Sequence, residues 1–258
     1  MSAARRVMGL HAVESALRHS ASRIQSAWLE TGRQVPRLEG LASQLAALGI
    51  DCQRVPRTRL DAMAEGGLHQ GILLEMRQAS ELNERDLLDA LDRGRDAVAE
   101  AWPPVYLALD HVQDPHNLGA CLRTCDAAGV AGVIITRDQS VGLTPVVAKV
   151  ACGAAETVPV YRVTNLVRTI ELFKQYDFWV VGSAGEASGD LYQSRLEGPV
   201  LLVMGAEGKG MRRLTREHCD LLVRIPMAGS VSSLNLSVAT GVMLYEMRRR
   251  VLSLQSPA

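Results

Sequence analysis

From residue 105 onward, apolar positions come in short unbroken runs rather than in strict alternation. The runs cover 105–109, 133–136, 158–161, 178–182, 200–204 and 221–225 and are dominated by Val, Ile and Leu. Such runs predict strands buried on both faces, as in a parallel sheet. Between them, apolar residues recur at helical spacing over 118–128, 145–152, 166–176, 212–218 and 236–250, the last segment turning basic at its end. Strand and helix therefore alternate, which predicts an α/β domain with a mostly parallel sheet and helices on both sides.

The first third has its own shorter rhythm. A helix is expected over 7–17, a strand over 24–29, and a helix over 37–48 stopped by Gly49. A strand over 51–55, a short helix over 60–65 before Gly66-Gly67, and a strand over 71–76 complete a small α/β unit. Residues 78–102 are charged and helical in pattern, with few core-sized apolar side chains before the Pro103-Pro104 break. The expected organisation is a domain at 1–77, a linker at 78–102 and a larger domain at 103–258.

Composition narrows the class. The 258 residues are 47% hydrophobic, enough for one large domain or two modest ones. No stretch approaches 18 unbroken apolar residues, and the basic start, Arg5-Arg6, has no apolar signal core after it. The expectation is a soluble cytoplasmic protein with no membrane partner. Five cysteines without a CxxC pair suggest neither a disulfide framework nor a metal site; Cys121 and Cys125 share a helix face and read as small buried thiols. Formal net charge is +0, yet the basic residues are 25 Arg and only 3 Lys. Arg concentrates in residues 1–60, with nine Arg against four acids, so the front end could touch a polyanion although the whole chain is neutral.

Three polar segments each follow a strand-like run. They are Asp114-Pro115-His116-Asn117-Leu118-Gly119 with Arg123 beyond it, Met204-Gly205-Ala206-Glu207-Gly208-Lys209-Gly210, and Ile225-Pro226-Met227-Ala228-Gly229-Ser230-Val231-Ser232-Ser233-Leu234-Asn235. In an open α/β sheet, ligand chemistry sits at such strand ends, so three of them predict one shared pocket. Asp114 and Pro115 suit the start of a helix, but a cap explains neither Asn117 nor Arg123. The second segment lacks the P-loop and dinucleotide spacings, and Glu207 at its tip would repel phosphate; it fits a neutral or positive ligand. The hydroxyls of the third have no His or Asp placed to make a nucleophile, so they read as hydrogen-bonding groups beside a helix start. The six histidines show no ligand spacing, and Arg248-Arg249-Arg250 reads as the solvated end of a helix.

Together, in order and at these separations, the three segments resemble the motifs of the SpoU/TrmH class of SPOUT RNA 2′-O-ribose methyltransferases. The resemblance extends to Gly9-Leu10-His11-Ala12-Val13 and to Val150-Ala151-Cys152-Gly153-Ala154-Ala155-Glu156 and so covers nearly the whole chain. Within the class it is similar to bacterial enzymes that methylate a guanosine in the peptidyl-transferase region of 23S ribosomal RNA. The resemblance implies a C-terminal trefoil knot, S-adenosylmethionine as methyl donor, a homodimer with the site near its interface, and an L30e-like RNA-binding front domain. It implies ribosomal RNA or the assembling large subunit as partner. Asn117 and Arg123 would be the catalytic pair, Glu207 would hold Arg123 or the substrate, and Ser233 and Asn235 would line the entry of the ribose. The donor would lie against Gly205, Ile225 and Leu234, with backbone near Ser183 and Met227.

A sulfonium donor already carries an electrophilic methyl, so the implied chemistry requires no metal. Its open point is the proton of the 2′-hydroxyl: either Arg123 removes it, or Arg123 stays cationic and water does. The rival readings are a transfer-RNA enzyme of the same class, against which the separate front domain argues, and a non-catalytic RNA-binding assembly protein, which should lack Arg123, Glu207 or Asn235.

Overall fold

A computed structural model describes residues 4–33, 35–77, 81–96, 103–194, 196 and 198–255. The chain divides into two compact units, residues 1–80 and 81–258.

The first unit runs β1 (Ala4–Met8), α1 (Leu10–Ser20), β2 (Ile24–Glu30), α2 (Pro36–Ala47), β3 (Asp51–Val55), α3 (Arg57–Ala64) and β4 (Ile72–Arg77). Its sheet has the order β1-β4-β2-β3, antiparallel at β1/β4 and β2/β4 and parallel at β2/β3. Val13, Leu29, Leu38, Leu45 and Leu74 are among the side chains that close its main core. The helix expected over 7–17 is instead a strand and a helix, separated by Gly9 at φ 89°. A left-handed residue cannot continue a helix at low cost for anything but glycine, so Val7 belongs to β1 and pairs with Leu74.

The second unit begins earlier than the sequence pattern suggested. Leu82 bridges to Tyr161, its amide donating to the Val160 carbonyl at 2.9 Å. The helix α4 (Glu84–Asp96) buries Leu87 and Leu91 in the core of this unit. Two leucines four residues apart give even a highly charged helix a sufficient apolar stripe, so 81–96 is packed structure rather than linker; 78–80 and 97–102 lie outside the described residues.

The unit continues through β5 (Val105–Asp110), α5 (Pro115–Ala128), β6 (Gly132–Thr136), α6 (Pro145–Val150), α7 (Ala154–Thr157), β7 (Val160–Val163), α8 (Leu166–Gln175), β8 (Trp179–Ser183) and β9 (Gly189–Asp190). It ends with β10 (Val200–Gly205), α9 (Arg213–Glu217), β11 (Leu221–Arg224) and α10 (Leu236–Gln255). The sheet order is β7-β6-β5-β10-β8-β11-β9, with every strand pair parallel. The interleaving of β10 between β5 and β8, followed by the return of α10 onto α5, agrees with the knotted topology that the resemblance implies. Side chains such as Leu107, Leu122, Val133, Leu202 and Met243 form the core on one side of the sheet, and Ala108, Ile134, Phe173 and Leu201 that on the other.

One further expectation holds and another changes. Cys121 and Cys125 are buried, and burial pushes their thiols up, Cys121 to about 11; Cys52 and Cys219 are half-buried, but Cys152 is exposed. The 248–250 arginines do not end a solvated helix, because α10 runs on to Gln255. Arg249 and Arg250 both bond the buried Glu246 carboxylate, Arg250 also donates to the carbonyls of Leu191 and Ser194, and Arg248 reaches the Ala128 carbonyl at 3.0 Å. These guanidiniums tie α10 to the chain after β9 and to the end of α5.

Candidate active site

β5, β10, β8 and β11 are consecutive in the sheet, so the segments leaving their carboxyl ends must converge. The register aligns those ends closely: Gly205 lies beside Asp110, Met204 beside Ser183, and Ser183 beside Val223. The three polar segments and the chain after β8 therefore emerge along one sheet edge.

The first segment starts α5 as its residues suggest. Asp114 is the N-cap and accepts from the His116 amide at 2.8 Å, with Pro115 in the first turn. Leu118, Cys121, Leu122 and Cys125 face the core, and Asn117 is buried at the sheet-edge end of the helix. Its Nδ2 donates to Glu207 Oε2 at 2.8 Å, and its Oδ1 accepts from Asn235 Nδ2 at 2.9 Å. Asn235 Oδ1 in turn accepts from the Ser237 amide at 2.9 Å and the Ser237 hydroxyl at 2.6 Å, as an N-cap of α10 does. An ionised carboxylate only accepts, so Glu207 fixes the orientation of both amides along this chain. Residues of all three segments thus form one hydrogen-bonded unit.

The second segment is a tight turn. A Cβ on Gly205 would lie 2.1 Å from the Gly210 carbonyl carbon, so only glycine fits. The Gly210 amide closes the turn on the Ala206 carbonyl at 2.8 Å, and Gly208 and Gly210 take φ of 75° and 65°. Asp110, fully buried at the end of β5, holds the far side of this turn: its two oxygens accept from the amide and Nε of Arg212, both at 2.9 Å. Neighbouring His111 is held below its ordinary pKa, first by burial and then by the Arg212 cation.

A cavity of ≈ 300 Å³ opens beside the Glu207 end of the hydrogen-bonded chain. That volume is at the lower end of small-molecule sites. Ser183, Gly205, Ile225, Met227, Ser233 and Leu234, six of the residues singled out from sequence, line it, as does Glu207. Its apolar wall comes from Met204, Ile225, Leu234 and Leu236, and its charged groups are Glu186, Glu207, Lys209 and Arg216. Added Cβ atoms on Gly208 and Gly210 would meet nothing within 4 Å, which leaves that side of the turn open to a ligand. A slot with an apolar wall and charged groups of both signs fits a flat base joined to a charged tail, the make-up of S-adenosylmethionine.

Arg123 is the exception among the expected residues. It lies six residues beyond Asn117, about 9 Å along the helix axis and roughly a third of a turn away in direction. Its side chain is exposed, with Nη1 3.7 Å from the Cys152 sulfur, and it does not line the cavity. Within the single chain the side chain that Glu207 holds is Asn117.

Several residues at the site had no sequence reading. Asp110 carried a usable signal, since it is a lone acid closing an otherwise apolar strand. Ser237 follows the cap by the ordinary spacing. Glu186 and Arg216 stand 30 residues apart and meet only through the strand order.

Comparison with known proteins gives this arrangement a family. Residues 104–245 match the SpoU rRNA Methylase family, and residues 6–82 match the family described as RNA 2′-O ribose methyltransferase substrate binding. The chain belongs to the SpoU rRNA methylase family. It is 55% identical over 247 residues to the 23S rRNA (guanosine-2′-O-)-methyltransferase RlmB of Haemophilus influenzae, covering 95% of this chain and 98% of that one. Identity to the RlmB of Pseudomonas putida is 52% over 250 residues, covering 97% and 98%. Among solved structures, the AdoMet-bound rRNA methyltransferase of Sinorhizobium meliloti superposes with a TM-score of 0.72 at 27% identity, covering 96% of this chain and 87% of that one.

Proposed function

We propose that this protein transfers a methyl group from S-adenosylmethionine to the 2′-hydroxyl of a guanosine in 23S ribosomal RNA. The observation that carries the reading is the Asn117–Glu207–Asn235 unit at the edge of a cavity suited to the donor. The near-full-length identity to curated RlmB enzymes supplies the substrate.

When bound, the donor supplies a methyl made electrophilic by a sulfonium. Met204, Ile225, Leu234 and Leu236 would hold its adenine, and the open side of the glycine turn would admit its backbone-hugging portion. Glu207 orients Asn117 and, lining the cavity, would offer a carboxylate to the donor's cationic centre. Asn117 and Asn235 fix the approach of the ribose, and Ser233 offers a hydroxyl at the same opening. Positioning of this kind can supply on the order of 7–11 kcal/mol of a barrier. The bound donor would supply the methyl in exchange for its sulfonium charge, and the 2′-hydroxyl proton would leave to water while these residues hold the hydroxyl in place.

Arg123 enters this account from a second copy of the chain. Val238, Tyr245 and Leu252 recur every seven residues along α10, and each is about half exposed. Gly241 on the same ridge sits against Thr124, the neighbour of Arg123. An apolar ridge beside an exposed arginine supports a two-fold dimer in which each Arg123 reaches its partner's cavity. There the guanidinium would donate to the developing alkoxide or the adjacent phosphate. The first unit, with its arginine-rich surface, would engage the RNA.

The test is direct. Purified protein, S-adenosylmethionine with a labelled methyl and 23S RNA should yield label in 2′-O-methylguanosine after digestion to nucleosides. Label in a base, or none, would overturn the proposal.

A further inference from the structure

Glu186 and Arg216 line the same cavity as Glu207, yet neither belongs to the three motif segments. Glu186 lies three residues beyond β8, and Arg216 lies on α9, after the glycine turn. Their side chains form an ion pair, Arg216 Nη1 to Glu186 Oε1, and remain 37% and 60% exposed. An exposed pair of this kind contributes little to stability, so a ligand that meets both charges can open it at little cost.

We propose that Glu186 and Arg216 form the subsite for the amino-acid end of the methyl donor, Glu186 taking its ammonium and Arg216 its carboxylate. The inference rests on the reading of S-adenosylmethionine as donor and goes further in assigning charges. The donor carries two cations and one anion: sulfonium, ammonium and carboxylate. Glu207, already bound to Asn117 at the reacting end, matches the sulfonium. The ammonium and carboxylate remain, adjacent on one carbon, and the Glu186–Arg216 pair presents the opposite charges side by side. The adenosine portion has no ionised group for such a pair to recognise. The other cation at the cavity, Lys209, sits between two glycines at the turn tip and, among the described residues, forms no ion pair with a carboxylate of the cavity wall, as Arg216 does with Glu186.

Calorimetry on the full chain separates the possibilities. The probes are S-adenosylhomocysteine, its carboxamide, and 5′-methylthioadenosine, which lacks the amino-acid end. Charge-assisted hydrogen bonds of this type correspond to roughly 10- to 100-fold in affinity. Glu186→Gln and Arg216→Gln should each weaken S-adenosylhomocysteine by about that factor and leave methylthioadenosine within about twofold. Arg216→Gln should also stop distinguishing acid from carboxamide, whereas Lys209→Gln should still distinguish them. Equal weakening of both nucleosides would reduce the pair to a structural latch, and unchanged affinities would reduce it to a surface contact; either overturns the inference. Wild-type protein that binds neither nucleoside would instead overturn the donor reading itself. The carboxamide comparison on wild-type protein needs no variant, so a variant that fails to fold does not remove the test.

Discussion

Asn117 gives its side-chain amide to Glu207 at 2.8 Å although 90 residues separate them in the chain. That contact joins the start of α5 to the turn after β10 and, through Asn235, to the start of α10. Asn117→Asp keeps size and shape but sets two carboxylates against each other. Turnover should fall on the order of 100-fold or more, while affinity for S-adenosylhomocysteine stays within about threefold. Single-turnover methyl transfer and calorimetry, read together, check the split; a parallel loss of binding would mean that Asn117 shapes the donor pocket instead.

Asp110 presents a different dependence. Its buried carboxylate accepts twice from Arg212 and anchors the glycine turn that carries Glu207. Asp110→Asn turns an amide NH₂ toward one of those donors. A cost of about 1–3 kcal/mol is expected, with weaker donor binding because the turn loses its anchor. Thermal unfolding with and without S-adenosylhomocysteine measures both; an unchanged melting temperature would show the turn to be self-supporting.

Glu246 gives the pH dependence. Bonds from Arg249, and after them from Arg250, together hold its carboxyl down to about 2 against the opposing effect of burial. Its folded pKa is below the unfolded value of about 4.3, so its stabilisation is present above that pH and fades as pH falls toward 2. The contribution is on the order of 2 kcal/mol after solvent screening of the partly exposed guanidiniums. Glu246→Gln should unfold earlier than wild type at pH 7 and converge with it near pH 2. A constant gap across that range would assign the effect to packing.

The proposed two-fold dimer yields a complementation result. Arg123→Ala and Asn117→Ala should each be inactive alone. When they are unfolded and refolded together, half the dimers are mixed and each mixed dimer regains one complete site, so about a quarter of wild-type turnover should return. If Arg123 acted within its own chain, no mixed dimer could hold a complete site and activity would stay absent.

Much of the second unit was legible because its strands are plain apolar runs and its helices carry caps and breaks, as with Asp114, Pro115 and Gly129 around α5. The three polar segments pointed to one pocket because each followed such a run. What escaped had physical reasons. β1 hid because Val7 and Met8 also fit a helical spacing, and only the φ of Gly9 separates strand from helix. α4 hid because two leucines, Leu87 and Leu91, suffice to dock it. Local periodicity reports which residues lie on a helix face but not how far that face stands from the pocket, so Arg123 could be named while its distance from the cavity could not. Glu186 and Arg216 meet through a strand order that no local pattern encodes.

The central claim is methylation of one guanosine ribose in 23S RNA by this pocket. Ribose-methylation mapping of all stable RNAs from cells lacking the protein tests it most directly. The account predicts that a single 23S guanosine loses its 2′-O-methyl group, and that the wild-type chain restores it but Asn117→Ala does not. An unchanged 23S map, or a mark lost from transfer RNA in its place, would contradict it.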